Sequence, residues 1–181
     1  KISNFTSEKI NNKKTACMEE TMVNTGEVKT GIKNDILKSS PIGSCVVVVL
    51  FDEKVDAGGM AHIMLPGKAP EKKDTIPTRY AENAIEELLQ QVFGRGFRKN
   101  HVKAVIAGGG NVLKRKGDMI GKHNLNAVIK LLAQKEIPVL ARSVGGTNRK
   151  SVRFNIQRRI IYFTEGDSKE KILFEFSHKN Q

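Results

Sequence analysis

The sequence predicts a mixed α/β or α+β fold. Three observations carry the prediction: an unbroken apolar run at Val46–Phe51, two later stretches with helical apolar spacing, and further short apolar runs separated by glycine and proline. The β-branched run 46–51 has the pattern of a strand covered on both faces. Asp52-Glu53-Lys54 ends it as a polar turn, and Val55 with Gly58-Gly59 leads into a second apolar run, 60–65, closed by Pro66-Gly67. Paired as an antiparallel hairpin, the start of the first run lies beside the end of the second. That register brings Cys45, at the mouth of the first strand, toward His62 on the next.

The remaining elements follow in order. Residues 1–23 are polar, rich in Lys, Asn, Thr and Glu, and lack periodicity; they read as a mobile basic extension. Residues 24–181 read as one domain, beginning near Gly26-Glu27-Val28, with a short strand at Ile36-Leu37. The charged segment 68–78 carries Pro70 and Pro77 and reads as a surface loop, long enough to form a rim or lid. Thr78 is the expected N-cap of a helix whose stripe is Tyr80, Ala84, Leu88 and Val92, stopped by Gly94 and Gly96. A strand at 101–107 ends in Gly108-Gly109-Gly110. A second helix spans 120–135, with Leu125, Val128, Ile129, Leu132 and Ala133 inward. Strands are expected at 137–141, 151–156, 160–163 and 172–176, with Gly145-Gly146 as a turn.

Composition narrows the function. The chain has 181 residues and a formal charge of +12, from 31 Lys+Arg against 19 Asp+Glu, which favours acidic partners. No nucleic-acid motif or aromatic platform accompanies that charge, so nucleic acid is not the expected partner. The two cysteines, Cys17 and Cys45, form no disulfide framework and no CxxC, which suits a reducing, cytoplasmic setting. No metal-ligand spacing is present and no cofactor is expected. No apolar run reaches membrane-spanning length, and the start carries no secretory signal pattern.

A cysteine attacks a carbonyl as its thiolate, so it needs a base and donors for the developing oxyanion. Gly43-Ser44-Cys45 places small residues where a substrate carbonyl must approach, and N–H groups around Cys45 are candidate oxyanion donors. His62 is the candidate base, and Ser39 and Ser40 are the hydroxyls near enough in sequence to hold its ring. The same residues also read as a small buried residue entering a strand and a hydrogen-bonded core histidine. Gly108-Gly109-Gly110 lacks the rest of a nucleotide-binding fingerprint and reads first as a tight turn; beside the Cys45 loop it would shape a substrate groove.

Taken together, Gly43-Ser44-Cys45-Val46, Gly59-Met60-Ala61-His62, Met64-Leu65-Pro66, Arg79-Tyr80-Ala81, Ala107-Gly108-Gly109, Ile120-Gly121 with Asn124, and Val144-Gly145-Gly146 with Ser151-Val152 resemble the CheD family of chemoreceptor glutamine deamidases. The resemblance runs from about residue 26 to 156. It implies mixed β-sheets packed as a sandwich with flanking helices, similar to the catalytic domain of deamidating toxins. It implies Cys45 as nucleophile, His62 as general base, and Ser39 in the place of the family's usual threonine, six residues before the cysteine. Gly43, Ser44, Gly108 and Gly109 become substrate-binding candidates. Pro41 and Thr147 depart from the glycine and asparagine common in the family. The implied reaction converts receptor glutamine to glutamate, and a glutamate methyl ester fits the same cycle. The implied partners are methyl-accepting chemoreceptors and a CheC-type phosphatase; a catalytically weakened module that docks to that phosphatase is the alternative.

Overall fold

The computed structural model describes residues 19–176. In chain order its strands are β1 (Glu19–Val23), β2 (Val28–Ile32), β3 (Asp35–Ser39), β4 (Val46–Phe51) and β5 (Ala57–Ile63). Helix α1 (Ala81–Gly94), β6 (Lys103–Gly108), helix α2 (Ile120–Gln134) and β7 (Val139–Val144) follow, and β8 (Lys150–Asn155), β9 (Ile160–Glu165) and β10 (Lys171–Glu175) complete the fold. Two five-stranded sheets result, ordered β1-β3-β8-β9-β10 and β2-β5-β4-β6-β7. Both mix parallel and antiparallel pairs. The sandwich with flanking helices expected from the resemblance is the architecture observed.

Strand β4 lies at the centre of the second sheet, antiparallel to β5 and β6, and all six of its residues are buried. Its alternation divides the core in two. Val47, Val49 and Phe51 pack with Met60, Phe154 and Ile161 between the sheets. Val46, Val48 and Leu50 pack with Ile85, Leu88 and Leu132 beneath the helices. The uninterrupted apolar run at 46–51 is thus the signature of a strand sandwiched between a sheet and a helical layer.

Several elements depart from the sequence expectation. Strand β5 begins at Ala57, so Gly58 and Gly59 are strand residues rather than a lead-in to it. A Cβ at Gly58 would clash with the Phe154 ring from the facing sheet, and one at Gly59 would meet Leu88 Cδ1 at 2.6 Å and Val92 Cγ1 at 2.8 Å from α1. Close packing on both faces therefore selects glycine here. Strand β1 begins at Glu19 and Val23 is fully buried, so the sheet extends across the boundary drawn at residue 23. Residues 1–18, with Cys17, lie outside the described residues. Thr78 does not cap α1: a 3₁₀ turn (Pro77–Arg79) precedes the helix, Tyr80 occupies the N-cap, and the Thr78 hydroxyl donates to Gly26 O at 2.6 Å. Among the described residues, no helix is long and apolar enough to cross a membrane.

Candidate active site

The antiparallel register pairs Val47 with His62. Cys45 is two residues before Val47, so Cys45 and His62 project from the same face as diagonal neighbours across the ladder. That face is the interior one: Cys45 packs against the inter-sheet cluster, and His62 is fully buried. The hairpin geometry expected from the sequence is present.

The contacts of the imidazole fix its tautomer. Nδ1 lies 3.3 Å from Val23 O and 3.2 Å from Ser40 Oγ. A carbonyl can only accept, so Nδ1 carries the proton and Nε2 holds the free lone pair. Nε2 is buried and has no hydrogen-bond partner. Burial lowers the His62 pKa from its ordinary 6.5, opposed by the Val23 carbonyl and the charge of Glu27. Burial also raises the Cys45 pKa above its ordinary 9.0, opposed by hydrogen bonding from the Thr25 side chain and its own backbone. At neutral pH the pair therefore rests as neutral thiol and neutral imidazole. That arrangement suits general-base catalysis, in which the proton moves as the sulfur attacks.

Among the described residues, Ser39, which the resemblance places third in the site, makes no hydrogen bond to the His62 ring. It is buried in β3 and its Oγ accepts a hydrogen bond from Val152 N at 2.9 Å, tying β3 to β8. Of the two hydroxyls the sequence offered, Ser40 is the one at the imidazole. Strand alternation separates them: adjacent residues leave the chain on opposite sides.

Three consecutive carbonyls lock the nucleophile loop. Gly110 N donates to Gly43 O at 2.9 Å and Gly109 N to Cys45 O at 2.7 Å. Asn124 Nδ2, from α2, donates to Ser44 O at 2.9 Å and to Met64 O at 2.8 Å, binding the loop to the end of the histidine strand. The next glycine turn stacks behind, with Gly145 N on Gly108 O at 2.8 Å and Asn111 N on Gly146 O at 2.9 Å. Lys150 pairs with Ile42 in both directions, at 2.7 and 3.0 Å, and its buried ammonium reaches Glu165 at 2.6 Å.

A cleft of about 330 Å³ opens over this loop, lined by Pro41, Gly43, Ser44, Cys45, Gly110, Asn111, Val112, Leu113, Asp118 and Arg149. Gly43 and Ser44 thus lie where substrate-binding residues were expected. Gly108 and Gly109 do not line it: they stand behind Cys45 as its backing, and a Cβ at Gly108 would clash with the Cys45 carbonyl. A neighbouring depression of about 410 Å³ shares Pro41, Val112 and Arg149 and adds Thr147. No residue of the 68–78 loop lines the Cys45 cleft. The sequence reading gave no role to Ser40, Asn111, Asn124 or Arg149 beyond naming Ser40 as a nearby hydroxyl. Asn124 stood among the residues of the resemblance, and that was its only signal. Among the described residues, no cluster of three His, Cys, Asp or Glu side chains is placed to hold a metal.

The family model described as CheD chemotactic sensory transduction matches residues 64–164. A probable chemoreceptor glutamine deamidase of Chlorobium luteolum is 35% identical over 156 residues, covering 86% of this chain and 78% of the relative. An alignment of that length takes in both Cys45 and His62. A probable chemoreceptor glutamine deamidase of Geobacillus kaustophilus is 35% identical over 145 residues, 77% of this chain and 88% of the relative. The chemoreceptor glutamine deamidase of Halalkalibacterium halodurans is 40% identical over 124 residues, 66% of this chain and 76% of the relative.

Proposed function

The chain belongs to the CheD family of chemoreceptor glutamine deamidases, and we propose that it carries out this reaction with Cys45 as nucleophile and His62 as general base. The observation that carries the reading is the buried, unpartnered Nε2 of His62 on the same sheet face as the only cysteine among the described residues. Nε2 takes the thiol proton as Cys45 Sγ bonds to the carboxamide carbon. The same nitrogen returns that proton to the amide nitrogen, and ammonia leaves a thioester. Water, losing a proton to Nε2, attacks the thioester. Sulfur departs and recovers the proton, and the product is glutamate. One water is consumed for each ammonia released.

The locked carbonyls support an oxyanion hole. In a trans peptide the C=O and the following N–H point in opposite directions. With Gly43 O and Ser44 O held by Gly110 and Asn124, the N–H groups of Ser44 and Cys45 face away from those donors and are the groups proposed to hold the substrate oxygen.

The proposed substrate is a glutamine side chain in a helical segment of a methyl-accepting chemoreceptor, with the protein acting in the cytoplasm. A receptor glutamate methyl ester enters the same cycle with methanol as leaving group. A CheC-type phosphatase is the proposed regulatory partner, and a pull-down with the purified phosphatase checks it. Incubation with receptor fragments tests the enzyme reading: each converted site gains about one dalton, the amide-to-acid change expected of a cysteine-nucleophile amidohydrolase. Prior alkylation with iodoacetamide should block the gain. No mass change on any receptor fragment contradicts the reading.

A further inference from the structure

Two hollows meet at one arginine. The Cys45 cleft and the neighbouring depression share Pro41, Val112 and Arg149, and among the described residues Arg149 is the one charged side chain that lines both. Its backbone fixes its place. Arg149 O accepts from Gly166 N at 2.8 Å, in the turn between β9 and β10. The next residue, Lys150, pairs in both directions with Ile42, three residues before Cys45. The arginine is thus tied to the first sheet on one side and to the nucleophile loop on the other. The charges around it leave it free. Arg149 is exposed, and among the described residues its guanidinium makes no ion pair. Lys150, the other cation of the depression, is buried against Glu165 at 2.6 Å. Asp118, the acid of the cleft, accepts from Ile120 N at 3.0 Å, and Asp167 lines the depression but not the cleft. The depression adds the hydroxyls of Ser151 and Thr164, which hydrogen-bond each other at 2.5 Å, and the amide of Asn148. A guanidinium fork beside hydroxyl and amide donors is a donor set for a carboxylate.

We propose that Arg149 determines specificity, taking the carboxylate of an acidic side chain one helical turn from the glutamine held at Cys45; this rests on the reading of Cys45 as the deamidating nucleophile and names the substrate class for it. Residues three or four apart lie on one face of a helix, with about 5–6 Å between their Cβ atoms. With the target glutamine in the cleft, a side chain at that spacing reaches the adjoining depression. A guanidinium pairs with a carboxylate through two parallel N–H···O bonds, which a neutral or cationic neighbour cannot match. The substrate class is a helical glutamine with Glu or Asp three or four residues away. The reaction also makes its own recognition group. Where two glutamines have this spacing, the first conversion supplies the carboxylate that Arg149 takes during the second.

The test uses the full chain and receptor fragments with a single target glutamine and Glu, Ala or Lys three or four residues to either side of it. Wild type should favour Glu over Ala about fivefold in kcat/KM, mostly through KM, the scale of an exposed ion pair. Added salt should shrink the preference. Arg149→Ala should lose it, and Arg149→Glu should favour Lys instead. Binding of the labelled fragments to Cys45→Ala, read by fluorescence anisotropy, should follow the same order, and Arg149→Ala in that background should level it. Equal KM and equal binding for the Glu and Ala fragments, or a Glu preference that survives Arg149→Ala, overturns the role of Arg149; Cys45-dependent turnover then leaves the deamidase reading standing. A Glu preference in binding that Arg149→Ala removes, with no turnover of any fragment, keeps Arg149 as a carboxylate site and overturns the deamidase reading.

Discussion

The Ser40 hydroxyl lies 3.2 Å from Nδ1 of His62. Its neighbour Ser39 is turned the other way, onto Val152 N. The two serines therefore separate catalysis from stability. Ser40→Ala should reduce deamidation about 5- to 10-fold, the worth of one orienting hydrogen bond, with little change in folding. Ser39→Ala leaves a buried N–H without its partner and should cost about 1–3 kcal/mol of stability, with near-normal turnover per folded molecule. Parallel denaturation and rate measurements distinguish the two.

Acid should weaken the fold through His62. Burial lowers its pKa below the ordinary 6.5, so the unfolded chain takes up a proton before the folded protein does. The stability contributed by the neutral ring is complete above about pH 6.5 and is lost as pH falls from there through the folded value. Denaturant midpoints measured against pH should drop over this window, and His62→Gln should flatten that part of the curve. The acid limb of the deamidation rate should likewise lie below pH 6.5, because the base stays unprotonated to lower pH.

Asn124 ties the nucleophile loop to the histidine strand through Ser44 O and Met64 O. Asn124→Ala should cost about 2–3 kcal/mol, two hydrogen bonds with buried acceptors left behind. Turnover should fall further than the folded fraction does, because the loop loses its register against β5. Thermal melts paired with active-site titration read both effects.

Gly108 has φ +113°, and a Cβ there would meet the Cys45 carbonyl and Ile42 Cγ2. Gly108→Ala should therefore push the nucleophile out of position as well as strain the backbone. The expected result is a folded or partly folded protein with turnover reduced at least tenfold, a loss larger than the roughly 1–3 kcal/mol of strain alone would explain through unfolding. Circular dichroism beside the deamidation assay checks it.

The centre of the molecule was legible in the sequence, and its first two strands were not. Val46–Phe51 is apolar on both faces, so its burial could be read directly, and the pairing of β4 with β5 follows from its neighbour. Strands β1 and β2 sit at the edges of their sheets, half-exposed and polar. They carry neither an apolar run nor clean alternation, and they read as tail or loop. Gly58 and Gly59 read as the lead-in to a strand at 60–65 because glycine usually lies outside strand interiors; here they lie within the strand and mark crowding by Phe154 and α1. Cys45 and His62 could be named from residue chemistry, but the choice between Ser39 and Ser40 depends on which side each leaves the chain. The backing role of Gly108 and Gly109 depends on backbone contacts that have no local signal. Asn124 reaches the site from 80 residues away in sequence.

The most direct measurement is the rate of glutamine conversion in receptor fragments by the Cys45→Ala protein, set beside Cys17→Ala and wild type. The account predicts that Cys17→Ala retains the wild-type rate while Cys45→Ala loses at least about 10³-fold, as removal of a nucleophile requires. Undiminished conversion by Cys45→Ala would contradict it.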